Sequence, residues 1–177
     1  MQSIPERVPL SAKEILMRKV VLALLICALA GPAAAKGKDE TELKDMVGKV
    51  DAAWSTLNPD NVAVYYAKDA NLAFFDMAPL KYSGWTAYDQ GVRGMFSAFE
   101  SLKLTVGDDL QATRRGDVAW TTGTVHASVV HKGGTPMEMD ARQTLIWEKK
   151  GGKWLIVHEH MSAPLPDDAM KANKVDK

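Results

Sequence analysis

His158 and His160 are the side chains whose type and spacing most suggest chemistry. They lie one residue apart in Trp154-Leu155-Ile156-Val157-His158-Glu159-His160-Met161-Ser162, a run with the β-branched and aromatic content of a strand. Strand alternation predicts Trp154, Ile156, His158, His160 and Ser162 on one face, and Leu155, Val157, Glu159 and Met161 on the other. Two imidazoles on one side, with Cα atoms roughly 6.5–7 Å apart, suit proton donation, acceptance and shuttling near neutral pH. Arg142, on the strand expected before them, would join them in binding a carboxylate or enolate oxygen. The competing reading is structural. One imidazole would be buried, hydrogen-bonded to Arg142, Thr144 or backbone, and would fix the end of the sheet.

A His-x-His pair also supplies two metal ligands, and His126 on a neighbouring strand would be the third. That requires matching register and an open coordination position, and the expectation is no metal. His131, beside Gly133-Gly134, is expected to be solvated. Asp69 and Asp76 are available carboxylates and Tyr65, Tyr66 and Tyr82 available phenols, yet no motif ties them together. Asp69 is expected to cap the second helix or the following turn, and Asp76 to order the loop before Pro79. The sequence has no Gly-rich phosphate loop, nucleophile elbow, His-Glu-x-x-His pair or basic recognition helix.

The elements that must position these groups are legible in the periodicity. Leu43, Met46, Val47, Val50, Trp54 and Leu57 recur at helical spacing over 39–57, with Asp39 and Glu42 as a capping box. Asn58-Pro59 ends that helix and opens a short second one reaching 65–67. Residues 70–75 look extended. A third helix runs from Ser83 to Phe99 with Trp85, Tyr88, Val92, Phe96 and Phe99 on one side. Four extended segments follow, near 101–113, 118–131, 137–149 and 153–162. The breaks Arg114-Arg115-Gly116-Asp117, Lys132-Gly133-Gly134-Thr135-Pro136 and Lys150-Gly151-Gly152 carry hairpin chemistry. Helices first and an antiparallel meander second make an α+β chain: a curved sheet with helices on one face. Trp147, sharing a face with Leu145, is expected to anchor an interface.

Export is the other clear signal. Arg18-Lys19 precedes an apolar run from Val20 to Ala30, then Gly31-Pro32-Ala33-Ala34-Ala35, the n-region, short h-region and small-residue cut site of a signal peptide. The expected division is 1–16 as an extension in front of a true start at Met17, 17–35 as signal peptide, 36–166 as one domain, and 167–177 as a polar tail. Periplasmic or secreted localisation follows, with no membrane association after cleavage. Cys27 is the one cysteine and would leave with the leader, so the mature domain has no thiol chemistry. Lys+Arg and Asp+Glu balance at 22 each, so no net field favours nucleic acid.

The order of elements, Pro79-Leu80-Lys81-Tyr82-Ser83-Gly84-Trp85, Gly116-Asp117-Val118-Ala119-Trp120 and the ending from Gly152 to Ser162 together resemble SnoaL-like proteins of the nuclear transport factor 2-like superfamily. The resemblance covers nearly all of 39–165. It implies a cone-shaped α+β fold, with a bent antiparallel sheet wrapped around the N-terminal helices, a pocket at the open end, and a homodimer formed through the sheet. It does not supply a reaction, because relatives include isomerases, cyclases, dehydratases and noncatalytic association modules. The expected function is binding of a small, largely apolar molecule in a pocket lined by Tyr65, Tyr82, Trp85, Arg142, His158 and His160. If the protein is an enzyme, the chemistry is proton transfer without an organic cofactor. The alternative is an association module using an outer sheet face around Leu145, Trp147, Val157 and Met161.

Overall fold

In the computed structural model, residues 37, 38 and 40–165 are described. The leader, the Asp39 cap and the tail therefore lie outside the described residues, and everything below belongs to the unit Asp39–Lys177. Helix α1 (40–54) turns Leu43, Val47, Val50, Ala53 and Trp54 into the core, as its apolar spacing predicts. Asn58 caps α2 (Pro59–Ala63), its side-chain oxygen accepting from Asp60 N–H at 3.1 Å, with Pro59 in the first turn. This helix is shorter than the sequence suggests. The chain leaves it so that Tyr65 and Ala67 bond the backbone of Ile156, and Tyr66 is delivered to the core.

A small hairpin, β1 (Ala73–Phe74) with β2 (Tyr82–Ser83), precedes α3 (Gly84–Ala98). β1 falls within the stretch 70–75 expected to be extended, whereas β2 and the pairing were not visible in the sequence, since a two-residue strand has no periodicity to detect. Gly84 joins β2 to α3 with φ of 79°, and its N–H donates to Leu72 carbonyl at 2.7 Å. A Cβ there would lie 2.7 Å from the Ala70 carbonyl oxygen. Gly84→Ala is accordingly expected to destabilise the protein by about 2–4 kcal/mol, measured by urea unfolding. A loss below about 0.5 kcal/mol would contradict this packing.

The main sheet contains β3 (Phe99–Val106), β4 (Gln111–Arg115), β5 (Val118–His131), β6 (Pro136–Lys150) and β7 (Lys153–Ser162), all antiparallel. The single segment expected over 101–113 is two strands. β3 pairs with the C-terminal half of β5 and β4 with its N-terminal half. The break is chemical. Asp109 accepts from both the N–H and the hydroxyl of Thr124 at 2.8 Å, and Gly107 N–H donates to Thr124 carbonyl at 2.8 Å.

The decisive departure from alternation is in β7. Ile146 faces His158 and the next residue, Trp147, faces Ile156, so Val157 is an extra residue in the ladder. A bulge of this kind reverses side-chain parity. Trp154 and Ile156 point inward before it, and Glu159 and Met161 point inward after it. The expected common face for Trp154, Ile156, His158 and His160 is therefore corrected: the histidines share a face with Arg142 and Thr144, away from the core. Trp147 and Leu145 also differ from expectation. Both are fully buried, and Trp147 Nε1–H donates to Thr121 Oγ1 at 3.1 Å. They belong to the core and not to an outer interface.

Candidate functional site

Between α1, α3 and the inner face of the sheet lies a cavity of about 340 Å³. Its walls are apolar because inward positions of β3 and β5 carry Leu102, Leu104, Ala127 and Val129. Trp54 from the end of α1 and Phe99 after α3 add aromatic surface. Five methionines, Met77, Met95, Met137, Met139 and Met161, complete much of the lining. Unbranched thioethers reshape at low cost, so such a wall accommodates irregular ligands. The polar members are Asp76, Gln143, Glu159 and, from the end of β5, His131.

Glu159 is the chemical centre of this cavity. It is only 3% exposed, because the bulge at Val157 turns it beneath the helices. Tyr66 and Tyr88 both donate their hydroxyls to its Oε2, Tyr88 at 2.8 Å. Trp54 Nε1–H in turn donates to the Tyr66 oxygen at 3.3 Å. Phe74 stacks on Tyr88 with ring centroids 4.5 Å apart, and Tyr82 meets Tyr88 edge-on at 5.3 Å. These contacts hold both phenols in place. Burial raises the Glu159 carboxyl to about 8, helped by the charge of Asp76 and resisted by the two phenol hydrogen bonds. It is therefore a neutral acid at pH 7. With Oε2 accepting twice, the proton belongs on Oε1. Burial and the Glu159 charge hold both phenols well above their ordinary range.

Two further carboxyls stand close by. Asp51 on α1 is 2% exposed, accepts from Gln143 Nε2 at 3.3 Å, and is raised by burial to about 6, against the opposing effect of that bond. Asp76 follows β1 in a stretch that bonds the edge of β7: Phe75 N–H donates to Glu159 carbonyl at 2.9 Å, and Met161 N–H to Phe75 carbonyl at 2.8 Å. Burial also raises Asp76, while Met77 N–H donates to its Oδ1 at 2.7 Å and opposes the shift. The expectation that Asp76 orders its loop is thus met by that bond, and Asp76 lines the cavity as well.

The six residues expected to form the site do not line this cavity. His160 and Arg142 are exposed on the outer face, and His160 lies beside Phe75. His158 is half-buried, and its Nδ1 donates to the Ala73 carbonyl at 2.7 Å, the structural role named as the competing reading. Tyr65 lies in a shallow groove with Lys49, Thr56 and Asp60. Trp85 and Tyr82 back the phenols, Trp85 against Tyr66 at 5.6 Å. His126 is clamped on the outer face by Asp140 at 2.8 Å and Glu138 at 2.9 Å. Its register partner is Asp140, whereas His160 pairs with Thr144, so the two histidines do not share a row. Asp69 pairs with Lys150. Among the described residues no group of three or more His, Cys, Asp and Glu is arranged to hold a metal ion.

One signal in the sequence did point to Glu159. It is an acid in a stripe with Val157 and Met161, and a charge on an apolar face is informative. Tyr88 was placed on the core side of α3, and nothing linked the two.

Comparison with known proteins follows this architecture. The family model for the SnoaL-like domain matches residues 44–166. No curated protein matches. A nuclear transport factor 2-like superfamily protein from Salmonella enterica is similar at TM-score 0.66 and 18% identity, over 72% of this chain and 92% of that one. A candidate scytalone dehydratase from Novosphingobium aromaticivorans is similar at TM-score 0.62 and 11% identity, over 70% and 82%. A candidate calcium/calmodulin dependent protein kinase II association domain from Xanthomonas campestris is similar at TM-score 0.61 and 23% identity, over 71% and 87%. At such identities the likeness is one of fold. Helices leading into a bent antiparallel sheet, matched by the family's own model over most of the chain, place this protein in the SnoaL-like domain family, with a nuclear transport factor 2-like fold.

Proposed function

We propose that this protein binds a small, largely apolar molecule in the cavity and moves a proton on it, as an isomerase, cyclase or dehydratase does. The observation that carries the reading is Glu159: a neutral, buried acid fixed by two phenols at the wall of an otherwise apolar cavity. A carboxyl kept neutral at pH 7 donates a hydrogen bond to a carbonyl or hydroxyl and stabilises charge that develops there. Asp76, on the same cavity, is the proton acceptor. Both roles use this chain's own residues.

The test is a thermal-shift screen of two-ring ketones, alcohols and amines, followed by exchange of the α-protons of bound tetralone in deuterated buffer. Binding is expected in the wild type and lost in Ala127→Phe, which fills the cavity. Exchange is expected to slow by about 100-fold in Asp76→Asn. His160→Gln and Arg142→Met, on the outer face, are expected to bind like the wild type and to lose less than about 0.5 kcal/mol of stability. A panel in which nothing binds, or in which Ala127→Phe binds equally, would sink the proposal.

Export and self-association are parts of the same proposal. The pattern over 17–35 supports a cleaved leader, tested by the mass of the mature protein. Among the described residues no helix is long and apolar enough to cross a membrane. A homodimer, or an association module as the alternative reading, is supported by the outer face. There Val118 is 44% and Trp120 38% exposed, and Trp120 pairs with Ile146. Trp120→Asp would dissociate such an assembly in sedimentation runs.

A further inference from the structure

The hydrogen-bonding groups around the cavity are unbalanced. Most of its donors are committed within the protein: Trp54 Nε1–H to Tyr66, both phenols to Glu159 Oε2, and one Gln143 Nε2–H to Asp51 Oδ1, which leaves the second Gln143 N–H and the His131 ring. Its carboxyl oxygens are not all committed. Among the described residues no group bonds Glu159 Oε1, Asp51 Oδ2 is buried without a partner, and Asp76 is met only at Oδ1. Among the described residues no lysine or arginine lines the cavity. The remaining wall is built of thioethers and the rings of Trp54 and Phe99, polarizable groups that attract cations.

We propose that the molecule taken by this cavity carries a protonated amine, its ammonium seated on Glu159 Oε1 and Asp76 and its apolar body along the methionines. The inference rests on the cavity being the ligand site. An ammonium brings three donors and no acceptor, the complement of Glu159 Oε1 once its proton has left and of the open oxygen of Asp76. An organic anion would meet the carboxyls of Glu159 and Asp76 with no lysine or arginine to balance its charge, and is rejected. A neutral alcohol or ketone uses only the proton of Glu159.

These alternatives respond oppositely to pH. The groups facing Glu159 are Asp51 and Trp54 from α1, Tyr66 after α2, Asp76 after β1, Tyr88 from α3 and Gln143 from β6, with His131 on β5 facing the same cavity. An ammonium displaces the Glu159 proton, so its binding tightens as pH rises and releases a proton. A neutral acceptor needs that proton and weakens over the same range.

Calorimetry with naphthylmethylamine, naphthylmethanol and naphthoate tests this, at about pH 6 and about pH 8, in two buffers of different ionisation enthalpy. At the higher pH the amine is expected to bind at least about tenfold tighter than the alcohol. It should weaken about tenfold at the lower pH, with proton release at both. Naphthoate should not bind. Glu159→Gln should equalise amine and alcohol. If that variant does not fold, Asp76→Asn should narrow the gap. An alcohol that binds as tightly as the amine, or amine affinity that falls as pH rises, would overturn the inference and leave the cavity reading intact. Failure of all three probes and of tetralone would remove the cavity reading itself.

Discussion

Glu159→Gln is expected to flatten the pH dependence of stability and to make the protein more stable than the wild type at alkaline pH. In the unfolded chain this carboxyl ionises near its ordinary value of 4.5, whereas in the folded protein it holds its proton to about 8. Between those values the folded state binds more protons, so raising the pH favours unfolding. The loss begins above the unfolded value and levels off once the folded acid ionises. Its size is roughly 3–5 kcal/mol, and Asp51, raised to about 6, adds a smaller effect of the same sign. Glutamine keeps an oxygen for Tyr66 and Tyr88 and has no proton to lose. Urea unfolding at about pH 5, 7 and 9 should show a steeply falling wild-type curve and a variant curve that keeps only the smaller, earlier fall owed to Asp51. Parallel curves would mean that Glu159 does not hold a shifted proton.

Trp147→Ala is expected to cost about 3–5 kcal/mol, a large share of the stability of a domain this size. The indole is fully buried in β6, faces Ala119 on one side and Ile156 on the other, and donates to Thr121. Removing it leaves a void and a buried hydroxyl without its donor. Trp120→Ala, on the outer face of the adjoining strand, should cost less than about 1 kcal/mol. Circular dichroism during urea unfolding separates the two. A Trp147→Ala protein with wild-type stability but altered association would restore that residue to an interface.

Helix positions, hairpin breaks and the α+β order were legible because they rest on periodicity and on turn residues, which are local. The core face of α1 follows from Leu43, Val47, Val50 and Trp54, and the β5–β6 and β6–β7 turns from their glycines. The site was not legible, for a physical reason that is also local. Strand parity propagates from any starting residue, and one extra residue inverts everything beyond it. Nothing in Ile156-Val157-His158 marks a bulge, which arises because β7 must pair with β6 on one edge and with the segments at Tyr65–Ala67 and Phe75 on the other. The bulge takes His158 and His160 out and brings Glu159 in. The phenols were missed similarly. Tyr66 and Tyr88 reach Glu159 across 93 and 71 residues of chain, and only the tertiary fold relates them. Tyr65 and Tyr66 differ by one position, and which one enters the core is settled by the backbone bonds to Ile156.

The Glu159 carboxyl inside this fold stays neutral at pH 7. Infrared difference spectroscopy across a pH titration measures this directly, with Glu159→Gln assigning the protonated carboxyl band. The expected band persists through neutrality, disappears with a midpoint near 8, and is absent from the variant. A midpoint near the ordinary 4.5, or a band that survives the substitution, would contradict it.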